Sequence, residues 1–513
     1  MLPVTTALAA GILLASWRMP TVWIAAAGVA ACSAAAAAAL IQGRYGGAKG
    51  SVRSGRTTAT VAVLLAGLFL GEALAALQLR VDTPGDGVAL YEVAITGDAY
   101  LRAGDKTLRG DGRLIAGRDE SGSWHRLRGR LRIYADTAMS LTAGQHVVCR
   151  GRVRPFGDDG YSMMMRRKGY AGQLYISSSN TLKISDNRTS SLRHGLHRRA
   201  VARIGRLPLK PDNMTVAQAV GTGESSMLSR SLRSDYSRAG IAHLLALSGL
   251  HVGIIFVIIN LLLRWLPLIS FGHIMRSAAA VALLWLYVLA TGMPPSAVRA
   301  ALMFSMLQIA QAASADYSPL NALCAAAFIS LCADTSLLFD AGFRLSYIAV
   351  AAIIVCALPL LRRTRIHCDQ RRGAVAKCSA AALNFVTATI ITGFAATVAT
   401  APLVSHLFGV IPLAGIVTGP AAIAAAAATV FLTAVWIAVP ADFAAPLFGR
   451  AVDFTVGAMN SLSERLAGYG AAAIETRLSA TEVAICYTVM AAVVCIVATI
   501  RSRKRKTPKF PIE

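Results

Sequence analysis

Apolar runs recur about eleven times along this chain, and no other feature narrows its fold as much, although the first is short for a full crossing. A helix needs about 20 mostly apolar residues to span a hydrocarbon layer of about 30 Å. No water is available there to pair a free backbone group, so such runs must be helices packed side by side. They lie near 4–17, 20–41, 59–79, 241–264, 277–291, 297–313, 319–333, 345–361, 380–401, 413–439 and 480–500. Charged residues make up only 15% of the chain, against about 25% in a soluble domain, which excludes an ordinary soluble globular fold. The start does not read as a cleaved leader, because no basic stretch precedes Leu2 and a second apolar run follows at once. The expected class is a polytopic α-helical membrane protein with about 10–11 transmembrane or re-entrant helices and one small β insert.

Loop charge orients these helices. Arg44, Lys49, Arg53 and Arg56 form a loop without an acid, which belongs in the cytoplasm by the positive-inside rule. The helix over 59–79 then exits, so residues 81–190 are expected to be extracytoplasmic. Alternation from Gly240 onward puts Arg362, Arg363, Arg365, Arg371, Arg372 and Lys377 inside, as their charge demands. The C-terminal Arg501, Arg503, Lys504, Arg505 and Lys506 also belong inside, yet simple alternation after residue 380 puts residue 500 outside. The expected cause is a split or re-entrant segment in 405–440, which carries Gly409, Pro412, Gly415, Gly419 and Pro420. The alternative is a crossing by 443–466, but Arg450, Asp453, Glu464 and Arg465 suit an interfacial helix better. The chain thus divides into N-terminal transmembrane helices (1–80), an extracytoplasmic domain (81–190), basic interfacial helices (191–240), a membrane domain (241–440), and an interfacial helix, last span and basic tail (441–513).

Within 81–190, short alternating segments at 88–94, 113–115, 127–134, 145–153 and 173–176 are separated by turn clusters such as Pro84-Gly85-Asp86-Gly87. About five short strands suit a small OB-like barrel, and a sandwich fits the spacing nearly as well. Arg126, Arg128, Arg130 and Arg132 fall at every second position, on the opposite side of a strand from Leu127, Leu131 and Ile133. That face, with Trp124, Tyr91, Tyr100 and Tyr134 as stacking aromatics, could follow a phosphate backbone. A solvated sheet face diluted by Asp98, Asp111 and Asp136 is the competing reading. The net charge of +25 likewise admits two explanations, cytoplasmic loops against anionic lipid or a polyanionic substrate. Of the nine cysteines only Cys149 falls in the polar domain, and no CxxC pair suggests zinc or redox chemistry. No cofactor is expected.

From Leu192 to Leu207, apolar residues recur at helical spacing with Arg193, His194, His197, Arg198, Arg199, Arg203 and Arg206 between them, the pattern of an amphipathic helix facing headgroups. Further on, ionisable groups enter the apolar runs, where they are costly unless they face the protein interior or a water-filled cavity. His243, Ser248 and His251 fall within a few turns, with 243, 247 and 251 on one helical face. Ser296 with Arg299, and Asp340 with Arg344 and Ser346, make two further clusters, and either arginine could pair with Asp340 or Glu224. Helix packing, a polar channel lining, and a Ser–His nucleophile all remain open; no third group that would orient an imidazole is identifiable.

At these residues the chain resembles the ComEC family of natural-competence membrane proteins. The resemblance runs through His243-Leu-Leu-Ala-Leu-Ser-Gly-Leu-His-Val, then Ser296-x-x-Arg299-Ala-x-Leu-Met303, then Gly342-Phe343-x-Leu345-Ser346-Tyr-x-Ala349-Val350, and continues at Ala401-Pro402-Leu403 with Phe408. Upstream, Phe156-Gly-Asp-Asp-Gly-Tyr161 leading to Arg167-Lys168-Gly169-Tyr170 resembles the end of the family's external OB-like domain. The resemblance implies a bacterial inner-membrane channel that passes single-stranded DNA to the cytoplasm. It also implies the lipid bilayer, a periplasmic DNA receptor and a cytoplasmic motor or strand-binding protein as partners, with a homo-oligomer left open. Many members carry a C-terminal metallo-β-lactamase-like domain. Here the chain ends soon after Lys506 and its nine histidines include no HxHxDH cluster, so no metal-dependent nuclease is expected. Arg344 stands where glutamine is usual, Glu224 where Gly-Asp is usual, and Gly415 where an asparagine is common. The rivals are a membrane-embedded hydrolase or nuclease using His243, Ser248 and His251, and a transporter or scaffold for another anion.

Overall fold

The computed structural model describes residues 1–16, 51–82, 90–101, 107–119, 122–186, 191–266, 272–366, 374–439, 442–468 and 473–506. The apolar run 20–41, the loop at Arg44 and Lys49, the turn at 84–87, and Arg371 with Arg372 lie outside these residues. The described chain is mostly helical. Five helices are long and apolar enough to cross a membrane: Gly272–Ala290, Ala341–Thr364, Val375–Phe408, Ala414–Ala438 and Ala480–Val497. Shorter apolar helices cover Leu2–Ala15, Val63–Gln78, Gly249–Leu262 and Pro319–Ala333. The chain forms two compact units, one of Met1–Ser234, Ala242–Tyr347 and Ile423–Ser461, the other of Asp235–Ile241, Ile348–Ala422 and Leu462–Glu513.

In the first unit, the helices Leu2–Ser16 and Ser51–Gln78 pack backbone to backbone. A Cβ on Gly11 would lie 1.9 Å from the Leu68 carbonyl oxygen, and one on Gly71 would lie 2.1 Å from that of Leu8. Small residues permit this approach, which is how membrane helices gain dispersion contact when lipid gives no hydrophobic drive. Several polar side chains in the apolar helices satisfy one another. The Asn260 Oδ1 accepts from Arg276 Nη2 (3.2 Å) and Gln308 Nε2 (2.9 Å), and the Trp285 indole donates to Ser305 Oγ (3.1 Å).

The β domain belongs to the same unit. Its strands are β1 (Leu90–Ile95), β2 (Tyr100–Leu101), β3 (Leu108–Arg118), β4 (Trp124–Ala135), β5 (Gln145–Arg150), β6 (Tyr170–Ile176) and β7 (Thr181–Asp186). They order as β6-β4-β3-β1-β5-β7, with β2 paired to β3. All pairings are antiparallel except β4 with β6. Past β5, Arg154 bridges to Gln173 of β6. The alternation read from the sequence holds, since Tyr91, Val93, Ile95, Leu131, Ile133, Ala135, Val147, Cys149, Leu174 and Ile176 form the core. It is interrupted at Gly129, where φ is +155° and a Cβ would meet that of Ala171 at 3.0 Å. Among the described residues β3 and β4 are longer than the sequence pattern suggests, and a short helix, Gly160–Arg167, intervenes before β6. Its N-cap is Asp159, whose Oδ2 accepts from the Ser162 N–H at 3.3 Å.

In the second unit the chain passes from Ile348 to Thr364 through a π-helical turn at Ile353–Ala357, just before Pro359. Proline has no N–H and crowds the preceding turn, and one extra residue absorbs the clash. Val375–Phe408 ends at Gly409 (φ +72°), and a short strand β8 (Val410–Pro412) then pairs antiparallel with β9 (Ala473–Glu475). Ser405 Oγ donates to the Thr476 carbonyl at 2.7 Å beside that pairing.

The break expected within 405–440 falls at 409–413, where the helix ending at Phe408 gives way to Gly409 and the short strand Val410–Pro412 before Ala414–Ala438 runs unbroken through Pro420. That proline sits within two turns of the helix start, where it removes a single hydrogen bond. One expectation changes: the segment 241–264 is not one helix. A 3-10 turn covers Ala242–Leu244, and the helix begins only at Gly249, with Ser248 as an extended N-cap (φ −103°, ψ 165°). His243 and His251 therefore do not share a helical face.

Candidate functional site

The β domain meets the helices of its own unit across a cavity of about 370 Å³. Arg130 and Arg132 of β4, with Lys168 and Tyr170, form one wall, and Pro295, Asp334, Ser336 and Asp340 lie on the other. Strand alternation that buries Leu131 and Ile133 turns the two arginines outward to this gap. Arg130 donates from Nη1 to Ser336 Oγ (2.7 Å) and from Nη2 to Asp334 Oδ2 (2.8 Å). Lys168 Nζ donates to Asp340 Oδ2 (2.9 Å). Arg132 Nη1 and the Tyr170 hydroxyl both donate to Asp111 Oδ1, at 2.8 and 3.1 Å.

Burial alone would raise the Asp334 carboxyl, but the hydrogen bonds of Ser336 and the charge of Arg130 hold it below the usual carboxylate range. Asp340 is treated alike: burial opposes, and the Lys168 ammonium with backbone donors from Gly342 and Phe343 prevails. Desolvation and the neighbouring Asp111 carboxylate push the Tyr170 phenol up. Each cation on this wall therefore already holds a carboxylate.

The arginine series of β4 does not act as one stripe. Arg130 and Arg132 are tied down at the junction, whereas Arg126, Arg128 and Trp124 are exposed on the other side of the Gly129 irregularity. Trp124 is 48% exposed. The basic helix Ser191–Ile204 also turns part of its charge inward. Arg203 stacks on the Trp436 ring at 4.1 Å and pairs with Asp442, and His197 Nε2 lies 3.4 Å from Glu224 Oε2.

A second polar cluster surrounds the start of Gly249–Leu262. Ser296 Oγ donates to the Leu247 carbonyl, which ties the preceding loop to the helix Pro295–Ala312. His251 is fully buried, and its Nδ1 accepts from the Ser248 N–H at 3.4 Å. Arg299 is 4% exposed and lies over the Tyr347 ring at 5.5 Å. Its Nη2 sits 2.9 Å from where a Cβ on Gly249 would be. His243 is exposed in its 3-10 turn, and Ser346 is half-buried on the helix Ala341–Ala352. Arg344 Nη2 reaches the Phe339 carbonyl at 3.5 Å.

The expected pairing of Arg299 or Arg344 with Asp340 or Glu224 is not formed. Asp340 is taken by Lys168, and Glu224 by His197 and Ser226. Because His251 gives Nδ1 to a backbone N–H, that nitrogen is not available to draw a proton from the Ser248 hydroxyl, and a Ser–His nucleophile finds no support in this geometry. Among the described residues, no group of three or more His, Cys, Asp or Glu side chains is placed to hold a metal ion. Sequence reasoning gave no site role to Lys168, Asp111, Asp334 or Ser336. Lys168 lies in the Arg167-Lys168-Gly169-Tyr170 motif, but its partner is 172 residues away.

A model of the family described as Competence protein matches residues 221–503, more than half of the chain. Over 164 residues the chain is 32% identical to ComE operon protein 3 of Bacillus subtilis (strain 168). That stretch is 32% of this chain and 20% of the relative, so the match spans about a fifth of the relative's length. No solved structure matches the chain.

Proposed function

Because this chain belongs to the competence protein family, we propose that it conducts one strand of DNA across the bacterial inner membrane into the cytoplasm. The observation that carries this reading is the junction cavity. Its lining includes both β4 cations, Arg130 and Arg132, and Pro295, the residue that opens the helix bearing Ser296 and Arg299. Outer cations and inner polar groups thus follow one another, as a path for phosphates requires.

In this reading residues 81–190 lie outside the cytoplasm and receive the strand, with exposed Arg126, Arg128 and Trp124 for first contact. The meander of β1, β3 and β4, antiparallel β1 with β5, parallel β4 with β6, and the Arg154–Gln173 bridge support an OB-type barrel. The β8–β9 pairing supports a topology with both chain ends of 413–472 on one side, which needs an even number of crossings. With Ala414–Ala438 as one crossing and Ala445–Ala467 as the return, the C-terminal basic tail comes to the inner side, which favours the alternative of a crossing by 443–466 as the source of the parity break. Asp453 in the return helix is satisfied by Asn213 Nδ2 at 2.7 Å, while Leu447 and Phe454 stay exposed for lipid. A periplasmic receptor would deliver the strand and a cytoplasmic motor or strand-binding protein would draw it in.

The test is deletion of the gene in a competent host followed by tracking of labelled DNA from periplasm to cytoplasm. Cytoplasmic label should vanish and return with the intact chain. Unchanged entry in the deletion refutes the conduit.

A further inference from the structure

Two buried donors at the start of Gly249–Leu262 lack partners. His251 Nδ1 accepts from the Ser248 N–H, so in the neutral ring the proton sits on Nε2, and that N–H is buried without a partner. Arg299 Nη1 is likewise buried without a partner. Among the described residues no carboxylate pairs with Arg299, whose guanidinium lies over the Tyr347 ring. Both side chains are more than nine-tenths buried. Both belong to one place: the imidazole bends back to the N-cap, and the guanidinium lies against Gly249, the first helical residue. The free N–H groups and partial positive charge of the helix start point the same way.

A buried guanidinium without a counter-charge is among the costlier arrangements in a protein interior. Here it is joined by a donor-only imidazole edge and a helix N-terminus, and none of the three can satisfy another. What completes them is an acceptor with negative charge and several oxygens. We infer that the Arg299 guanidinium, the His251 Nε2–H and the first turn of Gly249–Leu262 form a binding site for one oxyanion of the phosphate class. Resting on the conduit reading above, the site receives one phosphodiester of a passing strand. Gly249 belongs to the site because any side chain there would push the guanidinium away.

The experiment uses the full chain in a maltoside detergent, which carries no phosphate. Thermal unfolding is followed with inorganic phosphate, with a short oligothymidylate, and with added phosphatidylglycerol. Phosphate and oligothymidylate should each raise Tm, by about 1 °C at ten times the dissociation constant and about 4 °C at a thousand times. Arg299→Gln should weaken that response at least about 30-fold while leaving the anion-free protein no less stable, because it removes an uncompensated buried charge. Should that variant fail to fold, Arg299→Lys and His251→Phe serve instead, and each should reduce the shift. A wild-type Tm that ignores phosphate and oligothymidylate, or an Arg299→Gln protein that responds as wild type, overturns the site. A response to phosphatidylglycerol alone overturns the strand as occupant in favour of a lipid headgroup. The conduit reading fails separately: a phosphate shift lost in Arg299→Gln with unchanged DNA entry in that variant keeps the site and rejects the strand as its occupant, whereas unchanged entry in the gene deletion rejects the conduit.

Discussion

If the junction cavity receives phosphate, then the carboxylates that now hold its cations compete with the strand, and removing them should strengthen binding. The informative change is the double substitution Asp334→Asn, Asp340→Asn. Asparagine keeps the second duty of each residue, since Asp334 Oδ1 accepts from the Ser336 N–H (3.0 Å) and Asp340 Oδ1 from the Phe343 N–H (3.1 Å). The four side chains of the two ion pairs are 19–36% exposed, so water screens the attraction and each pair is worth only about 0.5–1 kcal/mol. Relieving both should tighten binding of single-stranded DNA by about 1–2 kcal/mol, or about 5- to 30-fold. Arg130 and Lys168 would then be free to neutralise two phosphates. The slope of log K against log salt should steepen by about 1.4, at about 0.7 per phosphate on a single strand. The assay is fluorescence anisotropy of a labelled oligothymidylate with the purified chain over a salt series. Returning Arg130 and Lys168 to methionine in the double-asparagine background should abolish the gain. An unchanged slope, or weaker binding on loss of two negative charges, refutes a phosphate role for this cavity.

The close approach of the first two described helices predicts that Gly11→Ala, or Gly71→Ala, separates them, because the added Cβ meets backbone carbonyls at 1.9 and 2.1 Å and no rotamer relieves it. Each should cost about 3 kcal/mol or more, read as a lowered Tm, whereas alanine at Gly97, which has nothing within 4 Å, should be nearly neutral. Glu224 is held down to about 2, chiefly by the hydrogen bond from His197 and then by Ser226. A carboxylate depressed from 4.5 stabilises the fold above that pH and loses its contribution as pH falls toward about 2. Glu224→Gln should therefore flatten the dependence of Tm on pH across that window. Gly172→Ala should open the β domain where its Cβ would lie 2.5 Å from the Arg154 carbonyl, measured as faster hydrogen exchange at the Arg154 and Gln173 amides.

The limits of sequence reading show at particular residues. The basic face of Ser191–Ile204 was legible as amphipathic, yet Arg203 faces Trp436 and Asp442, a pairing that spans more than 230 residues. Alternation along β4 was legible, whereas the division of its arginines into two tied and two exposed followed from Gly129 and from the helices opposite. Ser248 carried an N-cap signal beside Gly249, but apolar residues on both sides masked it as the interior of a longer span.

By itself the sequence determined that this is a helical membrane protein with one strand-rich insert, and it located Ser248, His251, Ser296 and Arg299 among apolar runs. Those conclusions rest on partition between lipid and water and on side-chain period, which are properties of neighbouring residues. Only the tertiary structure decided which charges remain available. Arg130 meets Asp334 across 204 residues and Lys168 meets Asp340 across 172, while Arg299 is left without a carboxylate among the described residues. Electrostatic pairing acts over a few ångströms of space, and distance along the chain carries no record of it.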